Sequence, residues 1–334
     1  MFIHLEEDEE HIKFNCTMTY PLVYIIILNW NGLQHTIECL DSVIKLNYPN
    51  FRLVVVDNGS TDGSMHIISR NYPKVIFIEN MENFGYAKGN NIGMRYALEN
   101  NADYVWLLNN DTVVEQNALL NMVIEAEEDP LIGIVGSKIY YLNSAKKIWF
   151  AGAMINWSSG TSNHIGMNET DVGQYDYVKE IDRVAGCSML VKREVCNRVG
   201  LFDENLFLYV EEVDWCVRAR KVGFKCLFVP SSIVYHKVLA SVSLIGPWSK
   251  VFSYYNTRNF LYLIQKSFNF PLREIILAKV ILRKLGEERG NILKMCFSII
   301  NSSNKIRPYE YPALFGIKDF LIKKMGKVDY VFKY

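Results

Sequence analysis

The sequence predicts an α/β protein with a mostly parallel central sheet flanked by helices and a helical extension at the carboxyl end. Three observations predict it. Apolar, β-branched runs of strand length alternate with helix-length segments four times within roughly 110 residues, the pattern of βαβ units. The runs stop abruptly at small polar residues, NWNG, DNGSTDGS and NND, which marks the carboxyl ends of buried strands, where open α/β sheets bind ligands. Half of the 334 residues are hydrophobic, enough for a substantial core.

Val23-Tyr24-Ile25-Ile26-Ile27-Leu28 lies between Pro21 and Asn29-Trp30-Asn31-Gly32 and reads as a central strand, because a strand covered on both faces is apolar throughout. A helix over 33–46 follows, then a strand over 51–56 that ends at Asp57. Next come a helix over 65–70, a strand over 75–79 and a long helix over 86–100. The strand Tyr104-Val105-Trp106-Leu107-Leu108 stops at Asn109-Asn110-Asp111-Thr112. In one reading Asp111 or Thr112 caps a helix over 113–128. After 132–137 the alternation breaks, and 138–180, rich in Gly, Ser and aromatics, reads as hairpins and loops. A strand over 183–191, a short helix over 194–199, an acidic helix start at Glu211 and the run Ile233-Val234-Tyr235-His236 complete the body. The expected division is an extension over 1–20, a body over 21–246 with halves 21–137 and 138–246, and a basic, aromatic helical region over 247–334.

Lys plus Arg and Asp plus Glu number 36 each, so no global basic field points to nucleic acid. The balance is uneven: residues 266–334 hold 14 basic and 6 acidic residues, net +8, which leaves 22 and 30, net −8, for 1–265. Seven cysteines, odd in number and with no CxxC pair, argue for buried free thiols in a reducing cytosol rather than disulfides or zinc. The acidic run Glu6 to Glu10 is no signal peptide, and no apolar run reaches membrane-spanning length. The expected location is cytoplasmic. GxGxxG is absent after the first strand, as is GxxxxGK followed by Ser or Thr, so a dinucleotide fold and a P-loop are disfavoured.

Several strand-end residues suit one chemistry. A carboxylate at Asp111 beside the carboxamides of Asn109 and Asn110 suits a hard divalent cation holding a diphosphate. Asp57 is placed to accept from the N3–H of a uracil or thymine ring, with an Asx-turn as the alternative. Asn83, Gly85, Gly89, Asn90 and Asn91 bring flexible backbone and amide donors to the same sheet edge. Glu211, Glu212 and Asp214 crowd one helix start, where the macrodipole keeps carboxylates ionised, the form a general base needs. Glu211 and Asp214 share a face with Arg218, so either can form an ion pair with it. His236, at a strand end, is a candidate metal ligand.

Taken in order, VYIIILNWNG, VVVDNGSTDGS, NFGYAKGNNIGM, WLLNNDT, GCSMLVKR, FLYVEEVDWCVRARKVGF and VYH resemble the family 2 inverting glycosyltransferases of GT-A fold, especially the rhamnosyltransferase-like branch. The resemblance runs over residues 21–259. It implies that Asp57 binds the nucleotide base, that Asp111 and His236 hold Mn²⁺ or Mg²⁺ on the donor diphosphate, and that an acidic-motif carboxylate deprotonates the acceptor. Glu212 aligns with that base, with Glu211 and Asp214 as alternates. Asn29, Asn83, Gly85, Asn90, Asn109 and Asn110 are expected around the donor. Two positions depart from the family: Asn109 stands where the metal motif opens with an aspartate, and Glu212 replaces an aspartate. Tyr254 to Asn259 resembles the branch's aromatic and Arg-Asn segment, with Arg258 as a bidentate diphosphate clamp or, equally, a structural pair.

The implied reaction is a single in-line displacement from a UDP- or dTDP-sugar, dTDP-rhamnose among them, onto a saccharide or lipid-linked acceptor in cell-surface polysaccharide synthesis. The tail's aromatics (Trp248, Phe252, Tyr254, Tyr255, Phe260, Tyr262) and the basic amphipathic helix after Pro271 fit an anionic bilayer surface. A helical domain packed on the body, or a homodimer interface, is the other reading. The rival functions are a non-catalytic sugar-nucleotide-binding protein and a nucleotidyltransferase.

Overall fold

A computed structural model describes residues 20–238, 248–290, 292 and 311–329. Most of the expected extension, together with Cys16, Cys296 and Pro247, lies outside the described residues. The first half alternates as β1 (Val23–Asn29), α1 (Leu33–Val43), β2 (Phe51–Asp57), α2 (Ser64–Asn71), β3 (Ile76–Glu79), α3 (Gly85–Glu99) and β4 (Tyr104–Asn109). Then come β5 (Thr112–Val114), α4 (Ala118–Glu127), β6 (Ile132–Tyr141), β7 (Ser144–Phe150), β8 (Ala153–Asn156), β9 (Thr161–His164), β10 (Lys179–Ile181), β11 (Ser188–Lys192) and α5 (Arg193–Val199). The chain closes with α6 (Glu211–Lys221), β12 (Lys225–His236), α7 (Trp248–Ser267), α8 (Leu272–Glu287) and α9 (Pro312–Leu321).

One sheet runs in the order β10-β12-β6-β11-β4-β1-β2-β3, with β5 paired to β12 and β7 to β6. Six of these eight strands, β12, β6, β4, β1, β2 and β3, point the same way, while β11 and β10 run against them. Their apolar side chains form one large core between two helical layers, each buried aliphatic contributing about 1.5–3 kcal/mol. Pairing register sets Asn29 beside Asp57 and Leu28 beside Asn109, so polar residues that end three runs share one edge. Helix α3 lies close on β1 because glycines face it: a Cβ at Gly89 would sit 2.6 Å from Leu28 and one at Gly93 2.6 Å from Ile26.

Three expectations are corrected. Residues 112–114 form β5 rather than opening a helix over 113–128, because His236, Tyr235 and Val234 pair with Thr112, Val113 and Val114; α4 starts only at Ala118. The strand expected over 183–191 is shorter, since a turn in which the Ser188 N–H donates to Ala185 O (3.2 Å) delays β11 until Ser188. The tail's first helix does not lie open on the surface. Val251, Tyr254, Tyr255, Phe260 and Leu261 on α7 are buried: Phe260 and Leu261 cluster with Val210, Val213 and Val217 of the α6 region and Ile317 and Phe320 of α9, while Val251, Tyr254 and Tyr255 cluster with Phe207 and Val328, Phe207 stacking on Tyr255.

Candidate active site

Four strand ends and the start of α6 converge on the edge where β1, β2 and β4 stop. On the β1–β2 side, Asn29 is fully buried and its amide donates to Asp57 Oδ1 (2.8 Å), Ser64 Oγ (2.8 Å) and Ser60 Oγ (3.2 Å), while its oxygen accepts from Thr36 Oγ1 (2.8 Å). Asp57 is fixed further by Ser60, whose hydroxyl (2.6 Å) and backbone N–H (2.8 Å) donate to its two oxygens. Asn29 therefore orients Asp57 and has little left for a ligand. Asn110 turns away from the cleft, donating to Thr36 Oγ1 (3.0 Å) above Gly32.

Asn58, which sequence reasoning passed over, ties the same edge to α3. Its amide donates to Asn83 Oδ1 (3.0 Å) and Gly85 O (3.1 Å), and its oxygen accepts from Asn80 and from the Phe84 N–H. Asn83 Oδ1 also accepts from the Gly85 N–H (2.8 Å) in the turn that enters α3, and Asn90 donates to Tyr86 O (2.9 Å) within the helix. These carboxamides shape the loop rather than lining it with spare donors.

Asp111 faces His236 across the β5–β12 pairing, Oδ1 to Nε2 at 3.1 Å, both groups more than nine-tenths buried. Burial opposes ionisation of Asp111, but the charge and hydrogen bond of His236, with His35 beyond, outweigh it and hold the carboxyl below the usual range. His236 stacks edge-on against Trp149, 4.8 Å between centroids, and its Nδ1 has no hydrogen-bond partner among the described residues. One carboxylate oxygen and one imidazole nitrogen suit Mn²⁺ or Mg²⁺, leaving the other positions to diphosphate oxygens and water. No cluster of three or more His, Cys, Asp or Glu side chains able to hold a metal occurs among the described residues.

The acidic motif supplies the opposite wall. Glu212 is partly open and lies 3.6 Å from the buried Arg183 guanidinium, its Cβ 3.6 Å from the Cβ position of Gly186. Tyr86 bridges from here to the metal side: its hydroxyl donates to Gly186 O (2.8 Å) and Asn109 Oδ1 (3.0 Å). Burial first, then the charges of Glu211, Glu212 and Asp111 with Cys187 between them, raise the Tyr86 hydroxyl well above its ordinary value, so it remains a donor. Glu211 is buried, with Oε2 lacking a hydrogen-bond partner. Burial, then the charge of Glu212, pushes its carboxyl far up. Asp214 is consumed, paired with Arg218 (2.7 Å) and Lys266 (2.9 Å). Burial and this double pairing correct its place among the candidate bases. Arg258 is corrected as well: fully buried on α7, it donates to Gly326 O (2.8 Å), Leu206 O (3.3 Å) and Asn259 Oδ1 (2.9 Å), so no donor atom reaches a diphosphate.

Comparison with known proteins decides what this edge belongs to. The profile of Glycosyl transferase family 2 matches residues 24–200, from the first strand through the short helix after β11. The chain belongs to glycosyl transferase family 2. It is 26% identical over 269 residues to dTDP-rhamnosyl transferase RfbF of Shigella flexneri, covering 77% of this chain and 86% of that protein. It is also 26% identical over 231 residues to the uncharacterized protein y4gI of Sinorhizobium fredii, covering 66% of this chain but only 25% of that protein. The fold is similar to that of the mannosyltransferase PcManGT from Pyrobaculum calidifontis, in complex with GDP-Man and Mn²⁺: TM-score 0.54, 15% identity, 92% of this chain and 88% of that one. The GT-A fold and the rhamnosyltransferase-like resemblance expected from the motifs are thus met.

Two further residues of this family 2 transferase's cleft escaped the sequence reading, Tyr86 and Arg183. Tyr86 sits inside the quoted NFGYAKGN motif, where its helical position signalled only packing. Arg183 opens a stretch read as strand, and nothing local ties it to Glu212.

Proposed function

We infer that this glycosyltransferase is metal-dependent and inverting, and that it moves a sugar from a UDP or dTDP donor to a saccharide or lipid-linked saccharide in cell-surface polysaccharide synthesis. The observation that carries the reading is the facing arrangement of Asp111 and His236 on one wall and Glu212 on the other, joined through Tyr86, Asn109 and Gly186. Asp57 takes the pyrimidine N3–H, held in place by Asn29 and Ser60. Asp111 and His236 would hold Mn²⁺ or Mg²⁺, which neutralises charge on the departing nucleoside diphosphate. Glu212 takes the acceptor hydroxyl's proton as that oxygen attacks the anomeric carbon, and a single displacement inverts the centre with no second carboxylate nucleophile. The Arg183 guanidinium lies 3.6 Å from Glu212, and burial followed by the charge of Glu212 pushes the Glu211 carboxyl well up, which makes it the poorer base of the two. The dTDP-rhamnose option draws on the RfbF relative. A non-catalytic nucleotide-sugar binder would need a broken metal or base site, and only the departures at Asn109 and Glu212 point that way.

We also read α8 as the surface that meets an anionic bilayer. Leu272, Ile275 and Leu282 are exposed along its outer side beside Lys279, with Phe270 just before them. The helix carries four basic and two acidic residues. No helix among the described residues is long and apolar enough to cross a membrane.

A panel of UDP-, dTDP- and GDP-sugars with and without Mn²⁺ tests the donor. A true donor at about 100 times its Kd adds about 2.7 kcal/mol of stability. Glu212→Gln tests the base. Turnover should fall by about 10²–10⁴-fold with donor affinity unchanged. A Glu212→Gln enzyme at wild-type rate would remove Glu212 from the chemistry, and Mn²⁺-independent nucleotide binding would remove the metal.

A further inference from the structure

The acidic motif is entered through backbone that its side chains disfavour. Phe207, Tyr209 and Val210 have φ of 62°, 66° and 74°, the left-handed region that costs L-residues most when they are β-branched or bulky. The other described non-glycine residues there are Asn31, Asn101, Asn168 and Lys323, three of them asparagines, which tolerate it. Val210, in this conformation, immediately precedes α6 and therefore sets the direction in which Glu211 and Glu212 leave the backbone.

Within the loop the Leu208 N–H donates to Leu206 O (2.7 Å), and α7 supplies further donors to its carbonyls. Asn259 Nδ2 donates to Leu206 O (2.9 Å), Leu208 O (2.9 Å) and Tyr209 O (2.8 Å), and Arg258 Nη2 donates to Leu206 O while its Nε fixes the Asn259 oxygen. Both side chains are fully buried, and the Arg258 guanidinium lies over the Tyr255 ring at 4.8 Å, which itself stacks on Phe207. Phe207 O accepts from the Tyr86 N–H (2.7 Å) at the head of α3. A donor-side helix and a carboxyl-terminal helix thus grip one short strained segment.

We propose that Arg258 and Asn259 are positioning residues: from α7 they hold residues 206–210 in the strained conformation that places the Glu211–Glu212 pair, so the helix beyond the family-matched region is part of the catalytic apparatus. This rests on the reading that the base lies in that pair. Buried polar groups that satisfy several carbonyls at once rigidify what they bind, and a displacement of about 1 Å at a reacting group can cost about 10²-fold in rate.

The test compares Asn259→Ala, the milder Asn259→Ser, and Tyr254→Phe, which removes the buried hydrogen bond to Asp319 (2.5 Å) elsewhere on α7. Readouts are kcat and KM for whichever nucleotide sugar the panel identifies, the melting temperature, and amide hydrogen exchange. Asn259→Ala should lower kcat about 10²-fold with donor KM nearly unchanged, and should speed exchange within 206–214 alone. Asn259→Ser, keeping one donor, should recover part of both. Tyr254→Phe should lower the melting temperature without the loss of kcat. Wild-type kcat in a folded Asn259→Ala or Asn259→Ser, or a loss that only tracks melting temperature as in Tyr254→Phe, overturns the proposal. If Glu212→Gln turns over normally, the base assignment fails instead, and local exchange at 206–214 still judges the clamp on its own.

Discussion

Glu211 is buried, one oxygen has no hydrogen-bond partner among the described residues, and a second carboxylate follows it in sequence. Its folded-state pKa is raised by burial and by Glu212, so the native state binds a proton that the unfolded chain releases above a pH of about 4.3. Its favourable contribution is present below that value and is lost as pH rises toward the folded pKa, at up to about 1.4 kcal/mol per pH unit. Glu211→Gln should therefore stabilise the fold at pH 7–8, with the advantage shrinking toward pH 5, as urea melts across that range would read. Parallel stability profiles for the two proteins would show that Glu211 finds a partner in solution. At this scale the sequence revealed what is local. The i, i+4 spacing already offered Arg218 as a partner for Asp214, and the pair forms. It hid what is assembled from afar. Lys266 on Asp214, Arg183 on Glu212 and Asn259 on the carbonyls of Leu206, Leu208 and Tyr209 each come from another element, and no spacing rule connects them.

Among the elements, the strands of the first half were legible because a β-branched run between Gly, Pro or Asn stops admits one assignment. The segment after Asp111 was not. Thr112-Val113-Val114 could start a helix or lie in a sheet, and its partner is the far end of β12, so tertiary pairing decided it. The contact between α3 and the 206–210 loop was equally invisible, yet it makes a sharp prediction. Gly85 has φ of +84°, and a Cβ there would stand 2.4 Å from the Phe207 ring and 2.5 Å from its carbonyl oxygen. Gly85→Ala should lose about 1–2 kcal/mol to the left-handed backbone alone, and more as the loop is pushed back. Chemical denaturation measures the loss, and unchanged stability would mean the two segments are not packed as described.

For the whole molecule, strand–helix alternation forecast the parallel half of the sheet, while the destination of the tail stayed open, because a basic amphipathic helix suits a protein surface and a bilayer equally well. The structure divides the answer: α7 is core, and α8 buries Leu277 and Val280 while leaving Leu272, Ile275 and Leu282 outward. The full chain should sediment with phosphatidylglycerol vesicles at low salt and release as the Debye length shortens from about 10 Å at 0.1 M toward 3 Å at 1 M. Ile275→Glu with Leu282→Glu should abolish the binding and leave turnover intact. Absence of binding, or a dimer dissolved by the same pair of substitutions, would assign the face to a second copy of the chain. The clamp on the strained loop also has a temporal side. Domains form in order of synthesis, and the sheet can close once β12 has emerged, but the donors that hold 206–210 belong to residues made later, and Arg258 leans in turn on the carbonyl of Gly326. A nascent transferase with its nucleotide edge complete is still unable to aim its acidic pair until Asn259 and then Gly326 have been made.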